Sequence, residues 1–111
     1  MLSKRVHSTE DTLLLAQLRE GMRFAFDTLY EKYKADVFNE VYKRLGSVDQ
    51  AKDVTQDVFI ALWTKGSVTV IHNLPGYFYI SIRNNVFRLM QRQRKFVPIP
   101  DLLIELKGNS Q

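Results

Sequence analysis

Apolar residues recur along this chain at intervals of three and four, the spacing that gathers side chains on one face of an α-helix. The longest such run joins Phe26, Leu29, Tyr30, Tyr33, Val37, Val41 and Leu45, with Asp27, Glu31, Lys34, Asp36, Glu40 and Lys43 filling the positions between. It predicts a helix from about Arg23 to Leu45, stopped by Gly46. Upstream, Leu14, Leu15 and Leu18 form a shorter stripe. Thr9 can cap this helix, whose first turn carries Glu10 and Asp11, the end where acids complement the macrodipole. Residues 10–20 are the expected first helix, with Gly21 as its stop. After Gly46, Ser47 or Asp49 can cap a third helix, Val48 to Lys65, whose buried face is Ala51, Val54, Val58, Ala61 and Leu62. Pro75 suits the first turn of a fourth helix running to about Lys95, with Phe78, Ile82, Val86 and Leu89 as its core stripe.

Between the third and fourth helices the pattern breaks. Val68, Thr69, Val70 and Ile71 have strand propensity, but no second run could pair with them, and a lone strand leaves its backbone groups unsatisfied. The segment from Gly66 to Pro75 is therefore expected to be an ordered loop. After Phe96, the sequence Val97-Pro98-Ile99-Pro100 is extended by proline geometry and ends the last helix. The fold class that follows is all-α, a bundle of about four helices.

Composition narrows the function more than the fold. The chain has 111 residues, of which 45% are hydrophobic and 25% charged, the proportions of one soluble globular domain. No apolar stretch is long enough for a membrane helix, and the N-terminus lacks the pattern of a signal peptide, so a cytoplasmic location is expected. There is no cysteine, and His7 and His72 lie far apart, so neither a metal nor another cofactor is expected. The net charge of +4 is modest. Its distribution is not.

From Val58 to Pro100 there is no acidic residue, while the same stretch holds Lys65, Arg83, Arg88, Arg92, Arg94 and Lys95. A polyanion is the natural partner of such a segment, although a basic helix end can also simply complement the helix dipole. On the fourth helix Asn84 lies opposite Ile82, and Arg88, Gln91, Arg92 and Lys95 continue its side. Cations at this spacing can reach successive phosphates, and Asn84 and Gln91 can make paired hydrogen bonds to a base edge. The preceding loop adds His72 and Asn73. Tyr77 and Tyr79 either offer rings to an unstacked base or pack where the helix begins. The third helix has the opposite character: Asp49, Asp53 and Asp57 are four apart with Gln56 beside the last. Nothing nearby supplies a nucleophile, metal ligand or oxyanion donor, so this acidic ridge argues against an enzyme and for a basic protein partner.

The string from Asp53 to Trp63, Asp-Val-Thr-Gln-Asp-Val-Phe-Ile-Ala-Leu-Trp, resembles the core-polymerase-binding segment of bacterial extracytoplasmic-function (ECF) sigma factors. Gly21 with Ala25-Phe26, Leu29-Tyr30 and Lys32-Tyr33 is similar to that family's opening helix. Leu74-Pro75-Gly76-Tyr77-Phe78-Tyr79 followed by Ile82-Arg83-Asn84 is similar to its promoter-reading helix, particularly in the form found in Bacteroidetes. The resemblance runs from about Asp11 to Lys95. It implies that Asp53, Gln56 and Asp57 dock on the clamp helices of the largest subunit of core RNA polymerase. It also implies that Asn84, Arg88 and the loop from Ser67 to Asn73 read the promoter −10 element, a base of the single-stranded non-template strand flipping into a pocket made by that loop. An anti-sigma factor is a further implied partner. The family usually has Trp where Tyr77 stands. Residues 1–95 are expected to form the region 2 domain and 96–111 to begin an interdomain linker, with the second, region 4 domain absent. The competing expectation is a sigma-like regulatory module that binds only protein, such as an anti-sigma factor, and no DNA.

Overall fold

Short polar side chains start three of the four helices. Ser8 Oγ accepts the Asp11 backbone N–H at 3.1 Å while the Asp11 carboxylate accepts the Ser8 N–H, a reciprocal box that opens α1 (Thr9–Arg19). Thr9, expected to be the cap, is already the first helical residue, because the acid that completes the box stands three positions after Ser8. Ser47 Oγ accepts the Gln50 N–H and opens α3 (Val48–Gly66). Asn73 Oδ1 accepts the Gly76 N–H at 3.2 Å at the head of α4 (Leu74–Arg94). Only α2 (Arg23–Leu45) begins without a side-chain cap, at Met22. Gly21 and Gly46 follow α1 and α2 with φ of +82° and +66°, the left-handed conformation in which a Cβ is strained.

The computed structural model describes Leu2 and residues 5–94. Among them there are four helices and no strand, so the chain is the expected all-α bundle and the segment after Gly66 is a loop. The expected end of the last helix at Lys95 and the linker of residues 96–111 lie outside the described residues.

The core forms where the stripes meet. Leu29, Tyr33, Val37 and Val41 of α2 face Val54, Val58 and Leu62 of α3, and Leu14, Leu15 and Leu18 of α1 close one side. Phe78 of α4 sits at the centre, its ring 5.1 Å from that of Tyr33 and 5.3 Å from that of Phe59. Two readings of the stripes need correction. Tyr30 was expected inside but is 38% exposed, and Phe59 was not assigned to the core but is buried. The α2 stripe spreads over more of the helix than one neighbour can cover, so its Tyr30 edge faces outward beside α3.

One corner is polar and buried. Asp11 is fully inaccessible; its carboxylate accepts from Tyr33 Oη and from Lys32 Nζ, both at 2.7 Å. Burial alone would raise the Asp11 carboxyl, but the hydrogen bonds from Lys32, Tyr33 and Ser8 hold it below the usual carboxylate range. Burial and the same carboxylate push the Tyr33 phenol well up. The N-terminal segment adds a strap: Arg5 pairs with Asp36 at 2.7 Å, and His7 Nδ1 accepts the Leu74 N–H at 3.1 Å. With Nε2 2.8 Å from Thr12 Oγ1, the His7 ring ties α1 to the head of α4.

Candidate functional site

Two surfaces of opposite sign carry the candidate residues. On α3, the repeat of four places Asp53 and Asp57 one turn apart, and both are exposed, as are Asp49 and Gln56. Neither Asp53 nor Asp57 has an ion-pair partner among the described residues. Gln56 also lines a groove of about 750 Å³ between α2 and α3, walled by Phe26, Tyr30, Phe38 and Ile60 and rimmed by Arg23, Lys34 and Lys52. At its edge stand Ile60, 55% exposed, and Trp63, 38% exposed. Gln56, Ile60 and Trp63 follow one another at four and three residues, so an apolar seam runs beside the acidic ridge.

The aromatic rings here form a connected array. Phe26 meets Trp63 edge-on at 5.4 Å, and Tyr30 meets Phe59 edge-on at 4.9 Å. Arg23 lies over both Phe26 and Trp63, within 6.0 Å of each ring centre. In the wall below, Thr55 Oγ1 is buried with no hydrogen-bond partner among the described residues. Half-open aromatics beside arginine are enriched at protein–protein contact surfaces, and exposed acids next to them would favour a basic partner. Sequence reasoning found the acids and Gln56 but assigned Phe26 and Tyr30 wholly to the core. Ile60 and Trp63 fall in the string that resembles the polymerase-binding segment but were not singled out there, although both are exposed.

The second surface is α4 with its preceding loop. Asn84, Arg88, Gln91 and Arg92 are all exposed along the helix. Arg88 Nη2 donates to Asn85 Oδ1 at 3.0 Å, a local bond, and the guanidinium has no carboxylate partner among the described residues. Arg92 has no ion-pair partner among the described residues, and Lys95 lies outside them. Exposed cations without a carboxylate partner attract phosphate.

The loop residues divide. His72 is exposed, whereas the Asn73 side chain is committed to capping α4, with Gly76 so close that a Cβ there would stand 3.1 Å from the Asn73 amide nitrogen. Tyr77 packs edge-on against Phe78 at 5.9 Å, and burial raises its phenol above the ordinary value. Its ring is thus half inside the fold. Tyr79 is more open but lies under the Arg44 guanidinium at 5.1 Å. A small cavity of about 220 Å³ at the head of α4 is lined by Leu2, Arg5, Asn73, Pro75, Gly76 and Tyr79, so the N-terminal strap contributes to it. Nothing in the periodicity of residues 1–8 signalled that contribution.

Among the described residues no helix is long and apolar enough to cross a membrane, and no group of histidines and carboxylates could hold a metal ion. No curated protein and no solved structure matches the chain. The model of the family described as Sigma-70 region 2 matches residues 29–96, more than half of the chain, beginning within α2 rather than at the Asp11 that the sequence resemblance suggested. That span holds α3 with its acidic ridge and α4 with its unneutralised cations, and on it the chain belongs to the sigma-70 region 2 family, whose members are non-catalytic factors of transcription initiation.

Proposed function

We propose that the chain is the polymerase- and promoter-binding domain of an ECF sigma factor of the Bacteroidetes type, acting in the cytoplasm, with residues 1–95 as the domain and those from 96 onward as linker. Asp53, Gln56 and Asp57 meet the clamp helices of the largest subunit of core RNA polymerase, with the aromatic groove taking apolar side chains of the same partner. Asn84, Arg88, Gln91, Arg92 and Lys95 follow the non-template strand of the −10 element. His72, Asn73 and Tyr77 border the place where an unstacked base is held. An anti-sigma factor covers one or both surfaces when the signal is absent.

No bond is made or broken in this reading. Base pairs open spontaneously and reclose, and a surface that binds the opened strand but not the duplex shifts that equilibrium toward the open form. Cations on α4 supply affinity, and the amides supply choice of base. The observation that carries the reading is the pairing of opposite surfaces: Arg88 and Arg92 on α4 and Asp53 and Asp57 on α3, none of which has an ion-pair partner among the described residues.

Fluorescence anisotropy with a single-stranded oligonucleotide at two salt concentrations, beside a pull-down on core polymerase, tests it. Arg88→Ala is expected to weaken strand binding and leave polymerase capture intact, and Asp53→Ala with Gln56→Ala to do the reverse. Equal loss of both activities in either variant would refute the separation. Polymerase capture with no strand binding at low salt would favour a module that binds protein alone.

A further inference from the structure

The outward face of α4 is not uniformly polar. Ile80, Phe87 and Met90 are 52%, 57% and 46% exposed, among the most open large apolar side chains of the described residues. At about 100° per residue, Phe87 falls about 140° from Ile82 of the core stripe and about 60° from Asn84, so ring and amide share one face. Arg83 and Arg88 flank it, and no acidic residue occurs between Val58 and Pro100. An apolar seam set among unneutralised cations selects a partner that is anionic overall yet offers small apolar groups. DNA has one such group, the C5-methyl of thymine.

We propose that Phe87, with Ile80 and Met90 beside it, packs on thymine C5-methyl groups and is a specificity-determining residue of the α4 surface. The proposal rests on the strand-binding reading above and adds to it a base preference that neither Asn84 nor the arginines supply. Phe87 touches no catalytic machinery and is open to solvent, so its replacement leaves the fold in place.

The test compares an oligothymidylate of about fifteen nucleotides, within the span of a strand-tracking surface, with its deoxyuridine counterpart, which differs only by the methyl. Wild-type protein at low salt should bind the thymine strand about fourfold more tightly, the equivalent of one buried methyl group. Phe87→Ala should abolish the preference, whereas Arg88→Ala should weaken both strands and keep the ratio. Equal wild-type affinity for the two strands overturns the proposal while leaving strand binding standing. Loss of affinity for both strands in Phe87→Ala with the ratio unchanged overturns it in favour of ring stacking. If wild-type protein is a dimer that Phe87→Ala dissociates, the seam belongs to a second copy. Failure to bind either strand at low salt removes the strand-binding reading itself.

Discussion

The corner between α1 and α2 and the outer face of α4 use the same charged residue types to opposite ends. In the corner, Lys32 meets Asp11 and Arg5 meets Asp36, each at 2.7 Å, and the Tyr33 hydroxyl completes the Asp11 shell. On α4, among the described residues, Arg88 has only an amide for company and Arg92 has no partner. Taken out of water, a charge without an opposite neighbour is costly, so the corner is built of pairs. Left in water, an unpaired cation costs little and stays available. The difference between the corner and the outer face of α4 is therefore neutralisation, not the presence of charge.

The comparison can be broken first at the corner. Asp11→Ala strands a lysine and a phenol in a closed site and should cost about 3 kcal/mol in urea unfolding, with strand binding of the folded protein unchanged. The same carboxylate sets an acid limit. Because folding holds it below its unfolded value, its contribution is complete above the ordinary aspartate range and is lost as pH falls through the folded value. Stability followed by circular dichroism should thus fall on acidification, and Asp11→Ala should flatten that fall. On the other side, Arg88→Ala should weaken single-strand binding about tenfold and lower the salt slope by about 0.7, while unfolding moves by less than about 0.5 kcal/mol. The smallest effect sharpens the boundary between the two regions. Asn73→Ala removes the α4 cap, for about 1 kcal/mol in denaturant titration.

Helix positions were legible because amphipathic spacing and glycine stops agreed, as for α2, expected and found from Arg23 to Leu45 although no polar side chain caps its start. The acid-free stretch was legible for a similar reason, since charge depends on composition and needs no coordinates. What escaped depended on which side of a helix a neighbour covers. Tyr30 and Phe26 fit the core stripe of α2, yet they border a groove, and Phe87 was lost among the polar residues of α4. Asp11 was read as a first-turn acid, and only the fold brings Lys32 and Tyr33 to it from more than twenty positions away. Asn73 shows the reverse: a residue singled out for a ligand has its side chain engaged in local geometry.

The chain has a single tryptophan, Trp63, and it stands half-open at the margin of the α2–α3 groove against Phe26. Its emission is therefore an intrinsic optical gauge. A tryptophan-free polypeptide settling into that groove would shield the indole and shift its spectrum to the blue, whereas a nucleic acid lying along α4 would leave the emission wavelength unchanged. Occupancy of one surface can be followed without a dye and without disturbing the other.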